Sequence, residues 1–209
     1  MIHIVTPEND FFYRKEMEQA FRLRHHQGLV KEMGWNNLPD EREIDQFDDK
    51  HTVHMLYIEQ GEVLGYQRFL PSNHPHLLSE IMPELCEVER PVGPHIWEWT
   101  HFCVERGHRE AGRAVSPITN MLLTAAVEWS LECGISQLII QMNPTWLLCM
   151  IQLHFRPLPL GLPHRIGGED VIAVLASFDE QTLSRLREMR GTRRRVLPEA
   201  QQRPALLHA

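Results

Sequence analysis

The sequence has few cysteines, and their spacing forms no recognisable motif. None of the four, Cys86, Cys103, Cys133 and Cys149, lies in a CxxC pair. We therefore predict neither a disulfide framework nor a zinc knuckle, and the pattern fits a reducing compartment. Long apolar runs are also absent, since no stretch approaches the roughly 18–20 apolar residues of a membrane-spanning helix. The opening residues lack the basic and then apolar segments of a signal peptide. We expect a cytoplasmic protein with no membrane partner.

Positive charge is scarce as well. The 209 residues include 28 Asp and Glu against 21 Lys and Arg, which gives a formal net charge of −7. Non-specific binding to a nucleic acid needs a basic surface, so we expect no nucleic-acid partner. A local cationic pocket for one phosphorylated molecule is still compatible with this charge.

Signatures of several enzyme classes are missing. The sequence contains no GxSxG elbow, no HExxH motif, no Walker A motif and no GxGxxG loop. Its 13 histidines lack the regular spacing of zinc ligands. His51 and His54, for example, lie three residues apart near a predicted strand, so their side chains point to opposite faces. We therefore predict no metal site.

Apolar periodicity and turn residues predict alternating strands and helices. Ser116 followed by Pro117 is a strong helix start, and Asp10 is a candidate cap for the first helix. The predicted strands cover 2–5, 53–59, 62–70, 96–104, 136–142 and 171–178, and the predicted helices cover 11–30, 77–85, 116–133, 144–154 and 179–189. This order is typical of a mixed α/β sandwich with helices on a central sheet.

The length suits a single domain, which we place at residues 1–190. From Gly191 onward the chain carries three consecutive arginines, two prolines and no periodicity. We therefore expect residues 191–209 to form a flexible basic tail.

The loop after the fourth predicted strand has the pattern R-x-x-G-x-A. Arg109, Gly112 and Ala114 lie just before the helix start at Ser116. Backbone N–H groups in such a loop, with the positive end of the helix dipole, would suit a pyrophosphate. The pattern resembles the loop with which GNAT acyltransferases bind the pyrophosphate of coenzyme A. A plain surface loop fits this short motif equally well.

Four further strings occur in a fixed order along the chain. They are Gly34-Trp35, E-I-D-Q-F-D (43–48), G-x-x-R-F-L-P (65–71) and W-E-W-T-x-F (97–102). Taken singly, each fits a charged loop or a core aromatic residue. Together they resemble the LuxI-type acyl-homoserine lactone synthases, over about residues 10–178. The strings L-L-S-E and E-W-T are most similar to the branch of that family that uses coenzyme A thioesters.

The resemblance implies a fold and a reaction. The fold would be a GNAT-like three-layer α/β/α sandwich around a mixed, mostly antiparallel, twisted sheet. The reaction would join S-adenosylmethionine to an acyl group: its amine attacks an acyl thioester, and its carboxylate then closes a lactone and expels methylthioadenosine. S-adenosylmethionine and acyl-CoA would be substrates, with an acyl carrier protein as the alternative thioester carrier. No tightly bound cofactor is implied.

The resemblance also implies roles for individual residues. Glu98 would act as base or proton relay, with His101 as its partner. Residues around S-adenosylmethionine would be Arg24, Trp35, Asp45, Asp48 and Arg68, with the tryptophan as a lid. Residues around the acyl thioester would be Thr100, Phe102, Val104, Arg109, Gly112, Met121, Leu122, Met142 and Trp146. Ordinary core packing explains Met121, Leu122, Met142 and Trp146 equally well.

The sequence departs from the family pattern in two places. Family members usually have an arginine three residues after the glutamate, where this chain has His101, a titratable and weaker partner. They usually have a phenylalanine where this chain has Gly28, and Trp35 lies eleven rather than ten residues beyond Arg24. Three functions therefore stay open: the lactone synthase, a GNAT-type N-acyltransferase that forms no lactone, and a degenerate homologue that binds S-adenosylmethionine or a thioester without turnover.

Overall fold

The computed structural model describes residues 1–27, 41–108 and 115–198. Its strands are β1 (Ile2–Val5), β2 (Val53–Glu59), β3 (Glu62–Pro71), β4 (Ile96–Val104), β5 (Gln137–Met142), β6 (Arg156–Pro159), β7 (His164–Ile166) and β8 (Glu169–Ser177). Its helices are α1 (Arg14–Gln27), α2 (Leu77–Glu80), α3 (Pro117–Glu132), α4 (Leu147–Gln152) and α5 (Glu180–Met189). Short 3₁₀ turns lie at Asp10–Phe12, Pro83–Leu85, Arg106–His108 and Pro144–Trp146.

The strands form one open sheet in the order β1-β2-β3-β4-β5-β8-β6, with β7 also paired to β8. Only β4 and β5 are parallel among the described pairs, which confirms the predicted mixed, mostly antiparallel sheet. Their parallel ladder starts at Ile96 and stops at Glu98, opposite Ile139. Both strands continue beyond this point, so they separate and leave a gap in the sheet.

Helices cover both faces of the sheet, as the predicted three-layer sandwich requires. On one face α3 packs over the main core, which includes Phe69, Trp97 and Trp129, and α5 packs beside α3. On the other face α1 covers β3 through Leu23 and Tyr66, while α2 buries Leu78. In the described part of the chain, no helix has the length and apolar character needed to cross a bilayer.

Local signals set most of the element boundaries. Ser116 Oγ accepts a hydrogen bond from Thr119 N at 3.1 Å, and Pro117 occupies the first turn, as predicted for α3. The first helix differs from its prediction. Asp10 lies in a separate 3₁₀ turn, and α1 begins only at Arg14, so Asp10 does not cap it.

β6 and β7 are not predicted by the sequence pattern. β6 contains Pro157 and Pro159, which favour a loop in a sequence reading. β6 is an edge strand, and these prolines lie two residues apart, so both nitrogens face away from β8 and lose no ladder hydrogen bond. β7 is only three residues long and is joined to β8 by Gly167 and Gly168, both with positive φ.

The segment after α5 runs back against α3. Leu197 is 6% exposed and belongs to the main core. The buried carboxylate of Glu128 on α3 accepts hydrogen bonds from Val196 N at 2.9 Å and from Leu197 N at 3.3 Å. Within the expected tail, Val196 and Leu197 therefore pack against α3, residues 191–195 are exposed, and 199–209 lie outside the described residues.

Candidate functional site

Two arginine side chains lie fully buried on the α1 face of the sheet. Arg24 is in the last turn of α1 and Arg68 is on β3, and both are 0% exposed. An unpaired buried charge is costly, so each guanidinium needs carboxylate partners. Asp45 and Asp48, in the loop before β2, supply them.

Each arginine contacts both aspartates. Arg24 Nη1 donates to both oxygens of Asp48 at 2.8 Å, and its Nη2 donates to Asp45 Oδ2 at 3.2 Å. Arg68 Nη1 donates to Asp45 Oδ1 at 2.7 Å and to Asp48 Oδ1 at 2.8 Å, and its Nη2 donates to Asp45 Oδ2 at 2.9 Å. The structure thus brings together four of the five residues predicted for the S-adenosylmethionine side. The fifth, Trp35, lies outside the described residues.

A turn within the loop orients the two aspartates. Asp45 N donates to Asp48 Oδ2 and Phe47 N donates to Asp45 Oδ1, each at 2.9 Å. Aspartate side chains commonly bond to nearby backbone groups in this way. Phe47 is 4% exposed and packs with Leu70 of β3. The loop is therefore anchored to the sheet, with its carboxylates directed at the arginines.

The neighbouring cations keep Asp48 ionised despite its burial. Burial is the largest influence on Asp48 and would raise its pKa, but Arg24 and Arg68 together outweigh burial and lower the pKa to about 2. Burial likewise opposes the charge on each guanidinium. Asp48 is prominent among the groups that nevertheless raise the pKa of both arginines.

His101 occupies a bulge in β4 beside this cluster. The register between β3 and β4 shifts between Tyr66 and Arg68, and His101 has a φ of 53°, which is uncommon for a residue other than glycine. The bulge puts His101 on the same face as Thr100 instead of the opposite face. His101 Nδ1 lies 3.1 Å from Thr100 Oγ1, and His101 Nε2 lies 2.7 Å from Glu43 Oε1.

Glu43 belongs to this group of side chains, although the sequence analysis assigned it no role. Its side chain is 3% exposed, and its Oε1 lies 3.5 Å from Arg24 Nη2. Its Oε2 is buried without a hydrogen-bond partner among the described residues. Burial, partly offset by Arg24, raises the pKa of Glu43. One signal could have found it, since Glu43 opens the same E-I-D-Q-F-D string as Asp45 and Asp48.

Glu98 lies on the same face of β4, two residues before Thr100, and is fully buried. Its carboxylate is surrounded by four nitrogen atoms: Leu77 N at 2.9 Å, Leu78 N at 2.8 Å, Gln141 Nε2 at 2.7 Å and His76 Nδ1 at 3.0 Å. Its hydrogen bonds thus go to the start of α2 and to β5. Along β4, Thr100 lies between Glu98 and the arginine cluster. Thr100 Oγ1 accepts a hydrogen bond from Arg68 Nε at 3.1 Å. Neither His76 nor Gln141 was among the residues predicted for the site.

Four of the predicted thioester residues border the gap between β4 and β5. Thr100 and Phe102 lie on the β4 side, where Phe102 is 38% exposed and contacts Trp99 with ring centroids 5.7 Å apart. Met142 ends β5 and is partly buried. Trp146, in the 3₁₀ turn that follows, is 55% exposed. Two aromatic rings are therefore accessible near this gap.

The other predicted thioester residues take no visible part in the gap. Val104 and Leu122 are buried in the main core, and Met121 packs against the same core. Packing accounts for their burial, and their contact with a thioester stays a prediction. Arg109 and Gly112, like Gly28, lie outside the described residues.

Three side chains near Arg24 could offer ligand atoms to a metal ion. Glu43, Asp45 and His101 each supply one such atom, and these atoms lie within 4.8 Å of one another. Arg24 Nη2, however, lies 3.5, 3.2 and 3.3 Å from these three residues. A fixed positive charge at this distance opposes a metal ion. The three side chains are better described as partners of the arginine.

The fold is similar to that of a known N-acyltransferase. An acyl-CoA N-acyltransferase from Pseudomonas aeruginosa shares the fold with a TM-score of 0.58 at 12% identity, over 84% of this chain and 97% of that chain. The sequence matches the autoinducer synthase family over residues 8–186, and the chain belongs to that family. These findings confirm the predicted fold, family and acyltransferase class.

Similar proteins support the same assignment. An isovaleryl-homoserine lactone synthase from Bradyrhizobium diazoefficiens is 36% identical over 195 residues, which cover 91% of this chain and 86% of that protein. The solved structure of BjaI, a CoA-dependent acyl-homoserine lactone synthase with SAM and isopentyl-CoA, has a TM-score of 0.88 at 32% identity, over 99% of this chain and 96% of that chain. MesI, another CoA-dependent synthase, has a TM-score of 0.84 at 30% identity, over 96% of this chain and 100% of that chain.

Proposed function

We propose that this chain is an acyl-homoserine lactone synthase that makes a quorum-sensing signal. It would transfer an acyl group from coenzyme A to the amine of S-adenosylmethionine, close the lactone and release methylthioadenosine. The observation that carries the proposal is the buried cluster of Arg24, Arg68, Asp45 and Asp48 beside the gap between β4 and β5, in a chain of the autoinducer synthase family.

The charged cluster suits a substrate with a sulfonium centre. With Glu43 ionised, the site holds three carboxylates and two guanidiniums, a formal charge of −1, which favours a cation nearby. Asp45, whose side chain is 14% exposed, is more accessible than Glu43 and Asp48, each 3% exposed. We assign it the contact with the substrate, while Arg24, Asp48 and Arg68 hold it in place. Trp35 keeps its predicted role as a lid.

The gap between the strands suits the thioester. Beyond Glu98, β4 has no ladder with β5, so backbone N–H groups on that side of β4 can donate to the developing oxyanion. Phe102 and Trp146 offer apolar surface for the acyl group. The amine must lose a proton before it attacks, and Glu98 is the predicted base or relay. Three of the four nitrogens that hold its carboxylate contact Oε1, whereas Oε2 accepts only from Leu77 N, so Oε2 is the oxygen with room for a proton.

Coenzyme A is the proposed carrier of the acyl group. Relatives that resemble this chain along nearly its whole length are described as CoA-dependent, one of them with isopentyl-CoA. A short branched acyl group is therefore the first to test. An acyl carrier protein is the alternative carrier, and the cytoplasmic location stays a prediction.

The test is mass spectrometry of products after incubation with S-adenosylmethionine and a panel of acyl and aryl thioesters, on coenzyme A and on an acyl carrier protein. We expect an acyl homoserine lactone and methylthioadenosine in equal amounts. Acylated product without methylthioadenosine would instead identify an N-acyltransferase that forms no lactone. Calorimetric binding of S-adenosylmethionine with no product would identify a degenerate homologue. Asp45→Asn should abolish the product, while Asp170→Asn, at a 61% exposed side chain, should not.

A further inference from the structure

A chain of hydrogen bonds runs from Arg68 to Glu43 through two residues at the β4 bulge. Arg68 Nε donates to Thr100 Oγ1 at 3.1 Å. Thr100 Oγ1 lies 3.1 Å from His101 Nδ1, and His101 Nε2 lies 2.7 Å from Glu43 Oε1. A guanidinium can only donate, so Thr100 Oγ1 is the acceptor in its hydrogen bond with Arg68 Nε. The hydroxyl proton of Thr100 is then free to point at His101 Nδ1.

A neutral His101 fits these contacts in two protonation states. With Glu43 ionised, the Thr100 hydroxyl donates to Nδ1, and Nε2–H donates to Glu43 Oε1. With one proton added, Nδ1 carries a proton, Glu43 holds the proton that had been on Nε2, and Nε2 becomes an acceptor. In this second state Nε2 no longer presents an N–H to Arg24 Nη2, 3.3 Å away. The same side-chain positions therefore serve both states.

The surroundings favour these two states over a charged imidazolium. Burial, with Arg24 and Arg68, lowers the pKa of His101 well below its ordinary value, while burial raises the pKa of Glu43. An added proton therefore comes to rest on Glu43. The charged and titratable groups that face the pair are Arg24 from α1, Asp45 and Asp48 from the loop before β2, His54 from β2 and Arg68 from β3.

We propose that His101 and Glu43 form a proton relay that takes one of the two protons leaving the amine of S-adenosylmethionine, an inference that rests on the proposed function. Acylation of an ammonium group removes two protons from nitrogen. Glu98, in its predicted role as base or relay, passes one of them to the departing thiolate. The other enters at His101 Nδ1 by way of Thr100 Oγ1, and the Nε2 proton passes to Glu43 Oε1. Glu43 thus acts through His101, and it is distinct from Glu98, whose oxygens are already engaged by four nitrogens.

The first test is the pH profile of kcat for Glu43→Gln. Glutamine can still accept a hydrogen bond from Nε2–H but cannot take a proton. The unaltered enzyme should lose activity as pH falls and Glu43 becomes protonated, at a pH above the pKa of an ordinary glutamate. In Glu43→Gln this acid limb should disappear from the profile, and kcat should fall about 10²-fold. Glu18→Gln, at an exposed glutamate bonded to Arg22 and Arg42, is the control and should keep both. An unchanged acid limb in Glu43→Gln would overturn the relay.

The second test needs no turnover. Histidine ¹⁵N NMR, with the His101 signals assigned by their loss in His101→Gln, should show a neutral ring whose N–H moves from Nε2 to Nδ1 as pH falls. Glu43→Gln should keep the Nε2–H form. Direct conversion of His101 to the imidazolium would overturn the relay. Absence of lactone product together with the expected tautomer shift would overturn the proposed function and leave the two proton states of the pair supported.

Discussion

Replacing Glu98 with glutamine separates two roles of this buried carboxylate. Its structural role is to join the start of α2 and Gln141 of β5 to the centre of β4. Glutamine keeps one oxygen, but its NH₂ group must then face a donor such as Leu77 N, which lies 2.9 Å from Glu98 Oε2. A buried N–H that loses its acceptor costs about 1–3 kcal/mol. In a domain of this size that lowers Tm by about 2–12 °C.

The chemical role of Glu98 predicts a separate effect. If Glu98 takes or relays a proton from the amine, Glu98→Gln should lower kcat by about 10²-fold or more, while calorimetry still detects binding of acyl-CoA. Thermal melting by circular dichroism and the rate of methylthioadenosine release measure the two effects independently. A normal kcat in the folded variant would exclude Glu98 as the base. An unchanged Tm would refute its role in joining α2 to the sheet.

Glu128→Gln is the matched control. Glu128 is also buried and also accepts several hydrogen bonds, from Arg187 Nη2 at 2.8 Å and from Val196 N at 2.9 Å, but it lies on α3, across the sheet from Glu98. Its replacement should lower Tm by at least a similar amount, because an acceptor and the ion pair with Arg187 are lost. It should leave kcat within about twofold, because Glu128 has no place in the proposed site. A large loss of kcat in this control would show that stability, and not proton transfer, limits the reaction.

Three further predictions concern the charged cluster, the core and the gap. The pKa of Asp48 is lowered to about 2 in the folded chain, so ionised Asp48 adds about 2 kcal/mol to the free energy of unfolding above pH 3.8, and this is lost as pH falls toward 2. The free energy of unfolding, measured in urea across this pH range, should therefore vary less with pH in Asp48→Asn. An equal variation in both proteins would contradict the assignment. A Cβ at Gly65 would lie 2.8 Å from Leu122 Cδ1, so Gly65→Ala should cost about 1–3 kcal/mol in urea unfolding, and unchanged stability would show that α3 shifts freely. The Trp146 side chain is 55% exposed, so Trp146→Ala should lower the free energy of unfolding by less than about 1 kcal/mol. It should nevertheless raise the KM for the acyl thioester and leave the KM for S-adenosylmethionine unchanged. An unchanged thioester KM would remove Trp146 from the acyl site.

Much of the fold follows from local sequence signals. The Ser116-Pro117 pair fixed the start of α3 because a capping hydroxyl and a proline both suit a first helical turn. The turn at Gln60-Gly61 set the hairpin of β2 and β3 for a similar reason, since both residues have positive φ. β6 was missed because proline argues against a strand unless its place at the sheet edge is already known.

The site was predictable only in part. The aspartates and arginines of the cluster were found through their order along the sequence, since that order matches a known family. The partners of Glu98 could not be found in this way. His76 and Gln141 meet Glu98 because α2 begins over the centre of β4 and because β5 lies beside it, and no local periodicity encodes these long-range contacts.

The bulge at His101 connects the opening of the sheet to the polar face beside it. An extra residue in a strand increases its local twist, and β4 leaves β5 just before this point, after Glu98. The same extra residue puts Thr100 and His101 consecutively on the arginine face, while Phe102 returns to the opposite side and contacts Trp99. Regular alternation would instead turn the imidazole toward the core around Trp99, where it would lose the hydrogen bond to Glu43. β4 therefore cannot be straightened without breaking that bond, so the same stretch of β4 that leaves β5 also carries the polar groups beside the gap.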